Sequence, residues 1–127
     1  MNTILILDDE SGVRQSFADY FEDQLWEVIQ AASAEEALDL TADRTIQAAV
    51  VDMRLPGMDG NDFIRAMYQR GHRAAFVICT GSPEYTIPDD LLPLPCVCSQ
   101  IVTKPVYRFE DLQELVLQTM EELADET

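Results

Sequence analysis

The stretch Ala48-Ala49-Val50-Val51-Asp52-Met53-Arg54-Leu55-Pro56-Gly57-Met58-Asp59-Gly60 carries a short apolar run, an acid and a turn in immediate succession. Four apolar residues in a row read as a strand buried on both faces. Asp52 stands where that strand ends. The same pattern recurs on either side. Ile4 to Leu7 is followed by Asp8-Asp9, Phe76 to Cys79 by Thr80, and Ile101 to Thr103 by Lys104-Pro105. In an open α/β sheet, ligands bind at the carboxyl ends of the strands. Three carboxylates, a hydroxyl and an ammonium converging there describe a cation site beside a reactive aspartate.

The remaining elements follow from periodicity. Val13, Phe17, Tyr20, Phe21 and Leu25 recur at helical spacing, and Trp26 to Ala31 reads as a second strand. Ser33 with Glu36 forms a capping box ahead of Ala37, Leu38 and Leu40. Phe63, Ile64 and Met67 mark a helix from about Gly60 to Gly71, stopped by the glycine. Leu112, Leu115, Val116, Thr119, Met120 and Leu123 form the stripe of a final amphipathic helix. Alternating strands and helices predict a parallel sheet with right-handed crossovers. Pro83, Pro88, Pro93 and Pro95 break the rhythm between Ser82 and Ser99. Interior proline costs a helix about 3 kcal/mol. The fourth helix is therefore expected to be short, with Pro88 in its first turn before Asp89 to Leu92, or irregular.

At 127 residues the chain is expected to form a single domain over 1–127, with 124–127 a frayed tail or the start of a linker. The net charge of −16 repels nucleic acid, which needs Lys and Arg partners. The absence of an apolar run of ~18 residues predicts no membrane span. Met1 leads straight into the first strand without a basic segment, so a cytoplasmic location is expected. Cys79, Cys96 and Cys98 are odd in number and include no CxxC, and the Cys96-Val97-Cys98 pair lacks two further zinc ligands. Reduced thiols are the simpler reading. His72, beside Arg70 and Arg73, reads as a surface or cap residue.

Taken together, Leu7-Asp8-Asp9-Glu10, the segment Asp52 to Gly60, Thr80 and Lys104-Pro105 resemble the response-regulator receiver domain family in order and approximate spacing, over essentially the whole chain. The resemblance implies a three-layer, flavodoxin-like (βα)5 fold with strand order 2-1-3-4-5. It implies a phosphoryl group accepted on Asp52 from a sensor histidine kinase or a histidine phosphotransfer protein, and a switched downstream protein partner. It implies Mg²⁺ bound by Asp9, Asp52 and the backbone carbonyl of Arg54, with Asp8 acting largely through water. Lys104 becomes the counter-ion and Thr80 the hydroxyl that meets the phosphoryl group. The Lys104-Pro105 peptide is expected to be cis, and a homodimer remains open. The chain is expected to assist its own phosphorylation without turning over an external substrate. An unperturbed aspartate ionises near 3.9 and would need no general base.

Two features depart from the family pattern. Ile101 occupies a position, three before Lys104, that commonly carries an aromatic residue. The proline-rich segment replaces a regular fourth helix. Tyr85 and Tyr107 lie nearby without an assigned switching role. Competing readings are weaker. An aspartate-nucleophile phosphatase of the haloacid-dehalogenase type needs Asp-x-Asp, which neither Asp8-Asp9 nor Asp52-Met53-Arg54 supplies. A flavin phosphate would be repelled by Asp8-Asp9-Glu10. A phosphorylation-independent interaction module is opposed only by the completeness of the acidic constellation.

Overall fold

The computed structural model describes residues 1–125. Five parallel strands form one sheet in the order β2-β1-β3-β4-β5. They are β1 (Thr3–Leu7), β2 (Glu27–Ala31), β3 (Ala48–Val51), β4 (Ala75–Thr80) and β5 (Val102–Thr103). The helices are α1 (Ser11–Asp23), α2 (Ala34–Leu40), α3 (Gly60–Gln69) and α4 (Phe109–Asp125).

The apolar runs are continuous because both sheet faces are covered. Successive strand residues point to opposite faces. Leu5 and Leu7 pack with Val51, Phe63, Met67 and Ile78 on the α2/α3 side. Ile4 and Ile6 pack with Phe17, Phe21, Val50, Val77 and Leu112 on the α1/α4 side. Ser33 caps α2 by accepting from the Glu36 N–H at 3.1 Å, while Glu36 reaches back to the Ala32 N–H at 2.8 Å. The capping box is thus displaced by one residue at its return bond.

Leu25 does not extend the α1 stripe. The helix ends at Asp23, and Leu25 sits at φ 70° with its side chain 81% exposed. The turn needs a left-handed residue to bring Trp26 back onto Phe21, and packing of that indole outweighs the strain at Leu25. The ring centroids of Phe21 and Trp26 lie 5.6 Å apart, edge to face. Trp26 precedes β2 and donates from Nε1 to Gln113 on α4.

No helix forms among residues 82–100. The N–H groups of Leu91 and Leu92 both bond the Pro88 carbonyl, giving a single turn in place of the short helix. Ile87 and Leu91 nonetheless fill the α3 side of the core. Cys96-Val97-Cys98 runs beside the start of β4: Phe76 N–H donates to Cys96 O at 2.7 Å, and Cys98 N–H to Phe76 O at 2.9 Å. The segment that could have suggested a metal ligand is an interrupted continuation of the sheet edge. All three cysteines are buried and free. Ala124 and Asp125 continue α4, and the rest of the expected tail lies outside the described residues. Among the described residues, no helix is long and apolar enough to cross a membrane.

Candidate functional site

Each strand-end residue is held by a ladder hydrogen bond that runs past its strand or closes it. Asp8 N–H donates to Ala31 O, Asp52 N–H to Leu7 O, and Lys104 N–H to Thr80 O, at 3.1, 3.0 and 3.0 Å. The sheet's own hydrogen bonding therefore fixes the backbones of the site residues. Their side chains are directed by the pleat.

Asp8 and Asp52 are buried, at 1% and 6% exposure, while Asp9 is exposed. Carboxylate oxygens of Asp8, Asp9 and Asp52 lie within 4.8 Å of one another. The Lys104 ammonium reaches between the two buried acids, 2.6 Å from Asp8 Oδ2 and 3.2 Å from Asp52 Oδ2. Arg54 N–H donates to Asp52 Oδ1 at 3.4 Å. Thr80, also buried, accepts from the Ser82 N–H at 3.1 Å through Oγ1. That local bond leaves the hydroxyl proton available. The Lys104-Pro105 peptide is cis, as the resemblance implied.

Electrostatics at the site departs from the ordinary carboxylate assumed on sequence grounds. Burial pushes Asp52 up from its usual 3.8; Lys104 opposes this shift and Asp8 adds to it. For Lys104, burial pulls downward, but the carboxylates of Asp8 and then Asp52 outweigh it, so the ammonium is held more tightly than usual. Cys79, behind the site, is pushed up to about 12 by burial and is an inert thiol. Three carboxylates face one ammonium. The donor set is entirely oxygen and its negative charge exceeds its positive charge, which fits a hard divalent cation.

The loop after Asp52 depends on contacts that sequence reading missed. Gly60 passes so close to Asp52 that a Cβ there would lie 2.3 Å from the Asp52 carbonyl oxygen. Gly57 adopts φ +78°, and the Glu35 carboxylate accepts from the next N–H, Met58, at 3.4 Å. Asp59 caps α3 by accepting from Asp62 N–H at 2.9 Å. Arg14 donates to the Asp8 carbonyl at 2.8 Å. Nothing local in the sequence ties Glu35 or Arg14 to this site. Gly60 alone was legible, as a glycine at a helix start.

Tyr85 in the helix-free segment donates from Oη to Asn61 Oδ1 of α3 at 2.7 Å. Arg65 of α3 grips Asp90 through two bonds of 2.8 and 2.9 Å. Ile101 packs partly buried against the α2/α3 core, whereas Tyr107 is 88% exposed.

Comparison with known proteins agrees with this geometry. Residues 4–117 match the family model described as response regulator receiver domain. The chain is 31% identical over 81 residues to sporulation initiation phosphotransferase F of Bacillus subtilis, covering 64% of this chain and 65% of that protein. It is 32% identical over 117 residues to regulatory protein AtoC of Escherichia coli, covering 92% of this chain and 24% of that protein. The chain thus spans less than two thirds of the length of either curated relative. A CheY-like receiver domain protein from Methanospirillum hungatei superposes with a TM-score of 0.82 at 26% identity, covering 100% of this chain and 99% of the other. The response regulator TrrA of Thermotoga maritima, in complex with Mg²⁺-BeF, gives 0.78 at 23% identity, covering 94% and 99%.

Proposed function

The chain belongs to the response regulator receiver domain family, and from that premise we propose that Asp52 accepts a phosphoryl group from a phosphohistidine. The donor is a sensor histidine kinase or a histidine phosphotransfer protein. One observation carries the reading above all: the Lys104 ammonium lies between Asp8 and Asp52, within 3.2 Å of both. A buried carboxylate with a dedicated counter-ion is a poor structural element and a good nucleophile.

Asp52 forms an oxygen–phosphorus bond as the phosphorus–nitrogen bond to the donor imidazole breaks. No proton need leave Asp52, because its carboxylate form attacks. Lys104 follows the charge from the carboxylate to the phosphoryl oxygens. Thr80 donates its free hydroxyl proton to one of them. Gly81 leaves room on that side, its nearest neighbour to an added Cβ being Lys104 Cβ at 3.9 Å. Asp9, Asp52 and the Arg54 carbonyl would hold Mg²⁺, with Asp8 acting through water. The ion supplies charge neutralisation for the transferring group. The bound Mg²⁺-BeF of the Thermotoga maritima protein supports this assignment by analogy of fold.

Phosphorylation adds about −1.5 to −2 charges, enough to bias a loop between two arrangements. The chain then acts by altering contacts with a downstream protein, as a single domain, in the cytoplasm, and not by turnover of an external substrate. Incubation with acetyl phosphate and Mg²⁺, followed by Phos-tag electrophoresis or intact mass, tests the assignment. A phosphorylated species is expected in the wild type and not in Asp52→Ala. Equal labelling of the variant refutes Asp52 as acceptor. Absence of labelling in the wild type, from acetyl phosphate and from a phosphohistidine donor alike, favours a phosphorylation-independent module.

A further inference from the structure

The end of the sheet opposite the carboxylates carries a charged cleft of the other sign. Its volume is about 670 Å³, and Arg44, Arg70, His72 and Arg73 all line it. The chain has 8 Lys and Arg against 24 acids, and a single histidine. Three of those eight cations, and that histidine, share this one cleft.

The other cations are accounted for. Arg65 and Arg108 pair with carboxylates, Arg14 and Lys104 serve the acidic site, the Arg54 guanidinium donates to Ser82 Oγ, and Arg44 pairs with Glu27. Arg70 and Arg73 have no carboxylate partner among the described residues. Arg70 donates once, to the Leu38 carbonyl at 3.3 Å, and so stabilises the C-terminal end of α2. Arg73 donates once, to the His72 carbonyl at 3.4 Å, and lies over the Tyr68 ring at 5.2 Å. A guanidinium has five N–H donors, so each keeps most of its capacity unused. Helix-end stabilisation explains Arg70, and the contact with the Tyr68 ring holds Arg73 without using most of its N–H donors.

The cleft also has an apolar wall. Ile46 is buried, and the partly buried Met120 and Leu123 of α4 line the far side. A bare anion would need only the arginines. The volume falls within the ~300–1,000 Å³ typical of small-molecule sites. Two guanidiniums lining one cleft match the charge of a phosphate dianion better than that of a single carboxylate. Asp43, also in the lining, disfavours a ligand that is anionic throughout.

We propose that this cleft binds an organic phosphate, a phosphate group on a partly apolar body of nucleotide size. Arg70 and Arg73 take the phosphate, and Met120 and Leu123 face the body. The ligand would reach the domain at the end of the sheet remote from Asp52, so a phosphoryl signal and a small-molecule signal could be read by one sheet.

The test is an amide NMR titration of the full chain in Mg²⁺-free, low-salt buffer, with AMP, inorganic phosphate and adenosine as separate probes. AMP is expected to shift residues 70–73 and 120–123 saturably. Inorganic phosphate should shift residues 70–73 more weakly, and adenosine should bind more weakly than AMP. Arg73→Gln, which leaves the Leu38 cap intact, should weaken AMP binding about ten-fold, with Arg73→Lys recovering part of it. Equal affinity for AMP and inorganic phosphate would overturn the organic-phosphate assignment. Linear, non-saturating shifts, unchanged binding by Arg73→Gln, or shifts confined to residues around Asp8 and Asp52 would overturn the site itself.

Discussion

The β1/β3 half of the sheet and the β4/β5 half supply the same site by different routes. In the first half, each strand runs into a loop and then a regular helix, α1 after Asp8-Asp9 and α3 after Asp52. In the second, β4 is followed by a long stretch without helix, and β5 has only two residues. Thr80 and Lys104 are nevertheless as well placed as Asp8 and Asp52. The position of a strand-end side chain depends on the ladder bond at that strand end. It does not depend on how the crossover returns. The crossover is therefore free to tolerate four prolines, provided Ile87, Leu91 and the Cys96–Cys98 segment still cover the core.

The contrast can be broken most severely at the regular half. Gly60→Val places side-chain atoms against the Asp52 carbonyl, where even a Cβ would sit at 2.3 Å. A loss of about 3 kcal/mol or more is expected, seen as a fall in Tm on the order of 10 °C by circular dichroism. A fall of only a degree or two would mean that the loop and α3 shift easily, and that this half is no more rigid than the other.

Lys104→Met tests whether the irregular half contributes chemistry equal to its partner. Acetyl phosphate labelling of Asp52 should slow about a hundred-fold, in line with the loss of one charge-stabilising donor. Labelling within a factor of about two of wild type would remove Lys104 from the phosphoryl-transfer role.

Asp52→Asn should stabilise the metal-free protein, raising Tm by about 4 °C at pH 7, because a crowded buried charge is removed. The sign follows from the raised Asp52 carboxyl. The folded state holds that proton more tightly than the unfolded chain, so wild-type stability falls as pH rises from the usual 3.8 through the raised value. The gain from Asp52→Asn should accordingly be full above that window and vanish in acid. Lys104 follows the same sign at high pH: its contribution is intact below its usual value of 10.5 and is lost as pH rises from there through the raised one. A gain that persisted undiminished in acid would contradict burial of the ionised form as the cause.

The smallest effects belong to the pins of the helix-free segment. Tyr85→Phe removes the bond to Asn61 and should lower stability by about 1 kcal/mol. Asp90→Asn opens an exposed pair with Arg65 and should leave Tm nearly unchanged, while faster amide exchange around residues 82–92 reports loosening. Unchanged exchange in both variants would show that core burial of Ile87 and Leu91 alone holds the segment.

Much of this was readable without coordinates. Apolar runs ended by Asp8-Asp9, Asp52, Thr80 and Lys104 marked both the strands and the site, because burial on two faces demands such runs. Leu25 was misread because an apolar residue at helical spacing is indistinguishable from a turn residue whose neighbour needs burying. Cys96-Val97-Cys98 was missed as an edge segment because three residues carry too little period to declare a strand. Glu35 and Arg14 were missed because their partners are backbone groups, which leave no trace in residue type.

The sequence by itself determined the alternation of elements, the residues available for chemistry and the disruption of the fourth helix, since all three rest on local pattern and proline geometry. Only the tertiary structure decided that Lys104 sits between two acids, one of them 96 positions away in sequence, and that burial lifts Asp52 above its ordinary ionisation. It alone gathered Arg44, Arg70, His72 and Arg73 into one cleft. Charge acts through distance and desolvation, and both come into being only when the sheet brings remote strand ends together.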